Sequence, residues 1–302
     1  MRESVNRRMF IKGSSLGAVG SALVGMGCAS GTSETCASRP GRAKAAGDMP
    51  TVRIGDLTVS RFILGGNPFS GHAHQPGDAG KQMRDWYSVK RIKDTLNQAA
   101  DEGVNTFLGR GDKHVMRMLQ EYWNEEGRIE HWIAQSAPEF GSMSRNIGEV
   151  AGYGGRGMYI QGAHVDRLFA QGKLEDVRPW LDEIKERGML AGVGSHRPDI
   201  LRIVQDKGWP ADFYMQCFYN ITEHGDKVYP AEDREKAVRT IRELEKPTIA
   251  FKILAAGRND PEEAFSFAFK NIKPGDPVCV GIFMKDRPHE IKQNAALTRK
   301  YG

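Results

Sequence analysis

Residues 185–198 read KERGMLAGVGSHRP. Lys185 to Arg187 close a charged amphipathic stretch, Gly188 stands where a helix ends in a left-handed residue, and Leu190 to Val193 is a short apolar run of strand length. Polar residues Ser195, His196 and Arg197 follow. Pro198 then takes the first position of a new helix, where its missing N–H leaves nothing unsatisfied. A buried strand fed by one helix and followed by another is a parallel βα unit.

The same unit repeats in both directions along the chain. Apolar strands are expected at Phe62–Leu64, Thr106–Leu108, Trp132–Gln135, Met158–Gln161, Leu190–Val193, Phe213–Gln216, Thr248–Lys252 and Val278–Gly281. Helices are expected at Ser88–Glu102, Lys113–Asn124, Met143–Tyr153, Leu174–Arg187, Pro198–Lys207, Glu232–Leu244, Pro261–Lys270 and Pro288–Arg299. Gly103 and Gly208 repeat the helix-end signal of Gly188, and Asp260-Pro261 repeats the helix-start signal with an N-capping carboxylate. A hairpin, Thr51–Ile54 and Leu57–Val59 around Gly55-Asp56, precedes the first strand. Eight strands alternating with eight helices make residues 49–302 one α/β domain, a closed (β/α)₈ barrel. An open doubly wound sheet is the alternative, but GGNPFSG at 65–71 does not match the dinucleotide fingerprint such a sheet carries after its first strand.

Upstream of the barrel the chain changes character. NRRMFIK at 6–12 is followed by the weakly apolar run GSSLGAVGSALVGMG at 13–27. A basic segment before an apolar stretch too short to span a membrane is a secretory signal, and Arg7-Arg8 with Phe10 and Lys12 resembles the twin-arginine (Tat) signal. Residues 1–28 are read as that signal peptide and 29–48 as a flexible tether, which places the protein in the periplasm or cell envelope and makes the Tat export machinery a partner. Cys28 after Gly25-Met26-Gly27 is similar to a lipoprotein cleavage box, although Gly25 stands where a Leu-like residue is expected. A lipid on Cys28 is the one membrane attachment offered; soluble release near Ala43-Lys44-Ala45 is the alternative. The formal charge of +5 comes from this leader, because residues 1–48 hold seven Lys/Arg and three Asp/Glu and leave 36 against 35 in the rest. A domain this close to neutral gives no reason to expect nucleic acid as a partner. Cys217 and Cys279 fall in strands as core thiols, Cys36 lies in the tether, and no CxxC pair suggests zinc.

From residue 51 to the end, the order of segments resembles the aldo/keto reductases: TVRIGDLTVSRFILGG at the start, AADEGVNTF into strand two, YIQGAHVD at strand four, KERGMLAGVGSH into strand five, DFYMQCFYN at strand six and PTIAFKILAAGR at strand seven. The resemblance implies carbonyl reduction with a nicotinamide cofactor (NADP), by a tetrad of Asp, Tyr, Lys and His at the barrel mouth. Its histidine falls on His164. Its aspartate falls on Leu108, its lysine on Gln135 or Ser136, and its tyrosine has no counterpart in GRGDKH at 109–114. The tyrosine supplies a proton and the other two lower its pKa, so ordinary carbonyl reduction is expected to be lost. The resemblance further puts Gln216 beside a nicotinamide and Lys285, Arg287 and Asn294 at the phosphate and adenine end, in a segment longer than the family's usual spacing.

The residues at strand C-termini, where this fold builds its sites, make their own case. Catalytic candidates are His164, His196, Arg110 and Lys252: imidazoles for acid–base work near neutral pH, a lysine to neutralise an oxyanion and an arginine to clamp a hydroxyl or carboxylate. Asn67, Asp112, Gln135, Asp166 and Asn220 are candidates for binding substrate. His72 and His74, in a Gly/Pro-rich loop after the first strand, suit a mobile lid better than a ligand pair. No tight metal spacing such as HxH or HExxH stands at the strand ends, so no metal is assigned; His164 and His196 with Asp166 or Asp112 are the alternative divalent-metal set. The expectation is an enzyme for a small hydroxylated or carbonyl compound, sugar-like in kind. The resemblance implies an oxidoreductase, and the altered tetrad favours an acid–base isomerase or lyase. A barrel that binds a small molecule without turning it over is the third reading.

Overall fold

The computed structural model describes residues 48–219, 221 and 229–302. The twin-arginine segment, the tether with Cys28 and Cys36, and Asn220 lie outside the described residues. No helix among the described residues is long and apolar enough to cross a membrane.

Ten strands are present among the described residues: β1 (Thr51–Ile54), β2 (Leu57–Ser60), β3 (Phe62–Gly65), β4 (Thr106–Arg110), β5 (His131–Gln135), β6 (Gly157–Ile160), β7 (Leu190–Ser195), β8 (Phe213–Cys217), β9 (Thr248–Phe251) and β10 (Val278–Gly281). β1 and β2 form the antiparallel hairpin, joined through Gly55 at φ 56°. The other eight form a closed parallel barrel in chain order, sealed where Cys279 and Gly281 of β10 pair with Ile63 and Gly65 of β3. The seam needs glycine: a Cβ on Gly65 would lie 2.9 Å from the Gly281 nitrogen, and one on Gly66 would lie 2.7 Å from the Phe107 ring. Close backbone approach explains the Gly65-Gly66 pair that matched no nucleotide motif.

The helices are α1 (Ala79–Trp86), α2 (Val89–Asp101), α3 (Lys113–Asn124), α4 (Met143–Gly152), α5 (Gly162–Ala170), α6 (Val177–Glu186), α7 (Pro198–Asp206), α8 (Ala231–Glu243), α9 (Pro261–Asn271) and α10 (Glu290–Tyr301). Two of them, α1 and α5, stand where the sequence suggests loops. The helix-start signals act as expected: Asp260 accepts from the Glu263 N–H, and Pro198 and Pro261 open their helices. Gly103, Gly188 and Gly208 take φ of 90°, 75° and 62° at helix ends, a conformation costly for any residue with a Cβ.

Strand alternation divides the core in two. Outward-facing side chains such as Phe62, Phe107, Trp132 and Tyr214 pack under the helices. Inward-facing Ile63, Leu108, Ile133, Tyr159, Phe213 and Met215 fill the barrel, and Val52, Ile54, Leu57 and Val59 of the hairpin close its lower end. Such a filled interior leaves space for a ligand only above its top layer.

Candidate active site

That space is a cavity of about 410 Å³ at the C-terminal ends of the strands. Its floor is the top layer of the barrel core, Leu108, Tyr159, Met215, Phe251 and Cys279. Its walls come from the loop after β3 with α1, the loop after β9 and the loop between β10 and α10. The size lies within the usual range for small-molecule sites.

Tyr159 and Gln135, neighbours across β6 and β5, form the polar part of the floor. The Tyr159 hydroxyl donates to Gln135 Oε1 at 2.7 Å, and no described residue accepts from Gln135 Nε2. The phenol thus holds the amide by its carbonyl end and leaves the NH₂ end for a ligand oxygen. Full burial drives the Tyr159 pKa far upward, so it stays a neutral donor. Cys279, also in the floor, is a free thiol that burial pushes up to about 12, which keeps it protonated and unreactive.

Two loops meet across the cavity. After β3, Asn67 lies 3.4 Å (Nδ2) from His74 Nε2, and His72 lines the wall. His72 is held below the ordinary imidazole value, first by burial and then by the Arg110 charge, and is neutral at pH 7. After β9, Lys252 lines the cavity with a left-handed backbone at φ 60°. Gln75 Nε2 donates to the Ala256 carbonyl at 2.5 Å, and Arg258 and the Tyr229 hydroxyl both donate to the His74 carbonyl at 3.3 Å, tying the loops together. Of five described non-glycine residues at positive φ, four belong to these loops: His74, Lys252, Ala255 and Ala256. Strain of this kind persists only where surrounding contacts impose it, and it gathers at ligand sites.

Among the residues singled out from sequence, Asn67, His72, His74, Gln135, Lys252 and Arg287 line the cavity. Arg110 and Asp112 do not. Arg110 Nη2 donates to both Glu139 carboxylate oxygens at 2.7 Å and Nε donates to Asp112 at 3.0 Å, while Asp112 caps α3 by accepting from the Val115 N–H. An arginine held by two carboxylates has little left for a substrate. His164 lies in the first turn of α5 with its ring 5.4 Å from that of Trp180, away from the cavity. Because α5 begins at Gly162, the residue that looks like a strand-end group in the sequence is a helix residue. Its pKa is lowered by burial and then by Arg167.

Asp166 and His196 form a separate unit. Asp166 Oδ2 takes His196 Nδ1 at 2.8 Å and the His196 N–H at 3.3 Å, and Oδ1 takes the Ser195 hydroxyl at 2.5 Å. The carboxylate holds the imidazole through Nδ1 and fixes its orientation. This ring packs edge-on to Phe251, whose other neighbours include the cavity. Among the described residues, no trio of His, Cys, Asp and Glu is grouped to hold a metal.

The cofactor positions implied by the resemblance are dispersed. Gln216 is fully buried on the face of β8 shared with Tyr214, towards the helices, with Oε1 unpartnered. Lys285 lies outside the cavity lining, and Asn294 is fully buried in α10 with both amide atoms unpartnered. Arg287 does line the cavity, 4.0 Å from Glu290 and next to Asp286, both of which line it too. One guanidinium beside two carboxylates does not fit a pyrophosphate or phosphate, which calls for an excess of donors and positive charge. Sequence reading missed Tyr159 and Glu290. A polar aromatic at an inward position of a barrel strand was the available signal for the first, and Glu290 had none.

No protein-family model matches the chain, and no curated protein matches it. Solved structures do. An aldo-keto reductase candidate from Pseudomonas aeruginosa is 16% identical, with a TM-score of 0.58, over 83% of this chain and 95% of that one. The apo form of Gox0644 is 13% identical with a TM-score of 0.56, over 82% and 88%. A truncated 3-deoxy-D-arabino-heptulosonate 7-phosphate synthase from Thermotoga maritima is 10% identical with a TM-score of 0.50, over 84% and 91%. The fold is therefore a (β/α)₈ barrel of the kind seen in aldo-keto reductases. At these identities the likeness is one of fold, and the third structure carries a different chemistry by name.

Proposed function

We propose that the mouth cavity is the active site of an enzyme that moves a proton on a small hydroxylated carbonyl compound, an isomerase- or lyase-type reaction on a sugar-like substrate. The observation that carries this reading is the joint lining of one cavity by a neutral imidazole, an ammonium and an amide donor: His72, Lys252 and Gln135. His72 takes the proton from the carbon next to the carbonyl. The electron pair moves into the carbonyl oxygen, and the resulting enolate is stabilised by the Lys252 ammonium and the Gln135 NH₂ group that Tyr159 orients. Returning the proton to the former carbonyl carbon, with the α-hydroxyl proton passing to the former carbonyl oxygen, isomerises the compound; giving it instead to a departing β-hydroxyl, which leaves as water, eliminates it.

Solvent exchange tests this directly. In D₂O without added nicotinamide, a panel of aldoses and hydroxyketones should gain deuterium next to the carbonyl, read by NMR, and His72→Asn should abolish the gain. No exchange anywhere in the panel, with NADPH-dependent reduction of its members, would establish the competing oxidoreductase reading. That reading is favoured by the fold likeness to aldo-keto reductases. We also infer export by the twin-arginine route, supported by Arg7 and Arg8 before the apolar stretch. Replacing both with Lys should strand folded protein in the cytoplasm, and unchanged delivery to the envelope would refute export by this route.

A further inference from the structure

Resting on the reading of the mouth cavity as a small-molecule site, we propose that its β10–α10 side selects an uncharged, hydroxyl-rich ligand and rejects phosphate-bearing ones, nicotinamide dinucleotides included. The start of a helix next to a cavity is ordinarily an anion site, because its first N–H groups have no partners. Here the first residue of α10 is Glu290, a carboxylate-bearing residue that is 9% exposed and lines the cavity. Glu290 Oε2 accepts from the Phe283 N–H at 3.0 Å, so the carboxylate that stands at the helix start is held by the loop after β10. Glu290 Oε1 accepts no hydrogen bond from any described residue, and its nearest cation, Arg287 NH1, is 4.0 Å away.

This side of the cavity has acceptor capacity to spare, and the guanidinium that lines it, Arg287, stands beside two carboxylates. Burial raises the Glu290 pKa, the mark of a carboxylate short of solvation. A hydroxyl donated by a ligand would make good that loss, and the Arg287 guanidinium can donate to the next oxygen of a polyol. A phosphate has no proton to give, and its charge would meet Asp286 and Glu290 together. Gln135 in the floor and the neutral His72 in the wall also suit hydroxyl and carbonyl oxygens, and the Lys252 ammonium, assigned to the enolate oxygen, belongs to the loop after β9 and not to the β10–α10 side.

Fluorescence titration with NADPH tests the exclusion. The wild-type protein should show no saturable binding below millimolar concentration, and the double variant Asp286→Asn/Glu290→Gln should gain at least about tenfold, a change of about 1.4 kcal/mol. Asp286 is exposed, so Asp286→Asn alone should fold normally and show a smaller gain in the same direction. Micromolar NADPH binding by the wild type, or no gain in either variant, overturns the proposal. Saturation-transfer NMR with aldoses and their 6-phosphates should show transfer to the uncharged sugars alone; transfer to the phosphates, or to neither, overturns it equally. Deuterium exchange together with tight NADPH binding would remove this inference and leave the proton-transfer reading standing.

Discussion

The two ends of the barrel solve opposite problems with similar residues. At the lower end, Asp276, Lys273 and Asn105 are each tied into the fold by several hydrogen bonds. Asp276, fully buried, accepts from the Thr248 and Lys273 N–H groups at 2.8 and 3.0 Å. The Lys273 ammonium donates to the carbonyls of Ile241, Leu244 and Lys246, closing the end of α8. Asn105 bridges to Ser60 and Thr58 and so fastens the hairpin to the barrel. At the mouth, by contrast, Gln135 keeps an unused donor, Glu290 an unused acceptor, and the loops hold four strained residues. The difference teaches where stability is stored and where it is given up: at the lower end a charged pair and an amide are spent on the fold, and the mouth leaves donors and acceptors unused.

The largest effects should come from the mouth and leave the fold alone. Lys252→Met and His72→Asn should each lower the exchange or turnover rate by about 10² to 10⁴, with a melting temperature near that of the wild type. A large loss of stability instead would make these residues structural and erase the contrast between the ends. The lower end should answer in the reverse sense. Asp276→Ala leaves the Thr248 and Lys273 N–H groups and the Lys273 charge without their carboxylate, and should cost about 3 kcal/mol in urea unfolding while activity per folded molecule stays intact.

Acid should sharpen the comparison through histidines at both ends. Burial holds His131 below the ordinary imidazole value of 6.5, and its Nδ1 has no partner. The unfolded chain therefore binds more protons than the folded one as pH falls through 6.5, so this contribution to stability is complete above that pH and is lost on acidification to below the folded value. His131→Gln should reduce the drop in urea midpoint between about pH 7.5 and 5.5, whereas His72→Asn should also change the pH dependence of the rate. A pH-independent midpoint in the wild type would contradict this.

The smallest expected effects are also informative. Ala256, at φ 56°, sits in the strained loop, and Ala256→Gly should stabilise by about 0.5 kcal/mol, the strain relieved being partly offset by chain entropy. His164→Asn should move neither turnover nor melting temperature by much, since its ring packs on Trp180 away from the cavity. Loss of activity in that variant would return the site to the position the family resemblance implies.

Much of this molecule follows from local chemistry that a sequence displays. Strand-length apolar runs, glycines at helix ends and prolines at helix starts are set by the backbone preferences of the residues themselves, and they located the barrel, its hairpin and its mouth. Asn67, Gln135 and Lys252 were legible as mouth residues because a strand's end and its direction come from the same pattern. What only the tertiary structure decided is which of the polar residues share a space. Helix α5 starts with a glycine and shows no cap in the sequence, yet packing makes it a helix; that turns His164 onto Trp180 and Asp166 onto His196. Arg110 looked available until the fold brought Glu139 to it, and Tyr159, an ordinary strand residue in sequence, became the donor in the floor because inward alternation and a neighbouring strand put it 2.7 Å from Gln135. Such pairings depend on residues far apart in the chain, and no local preference encodes them.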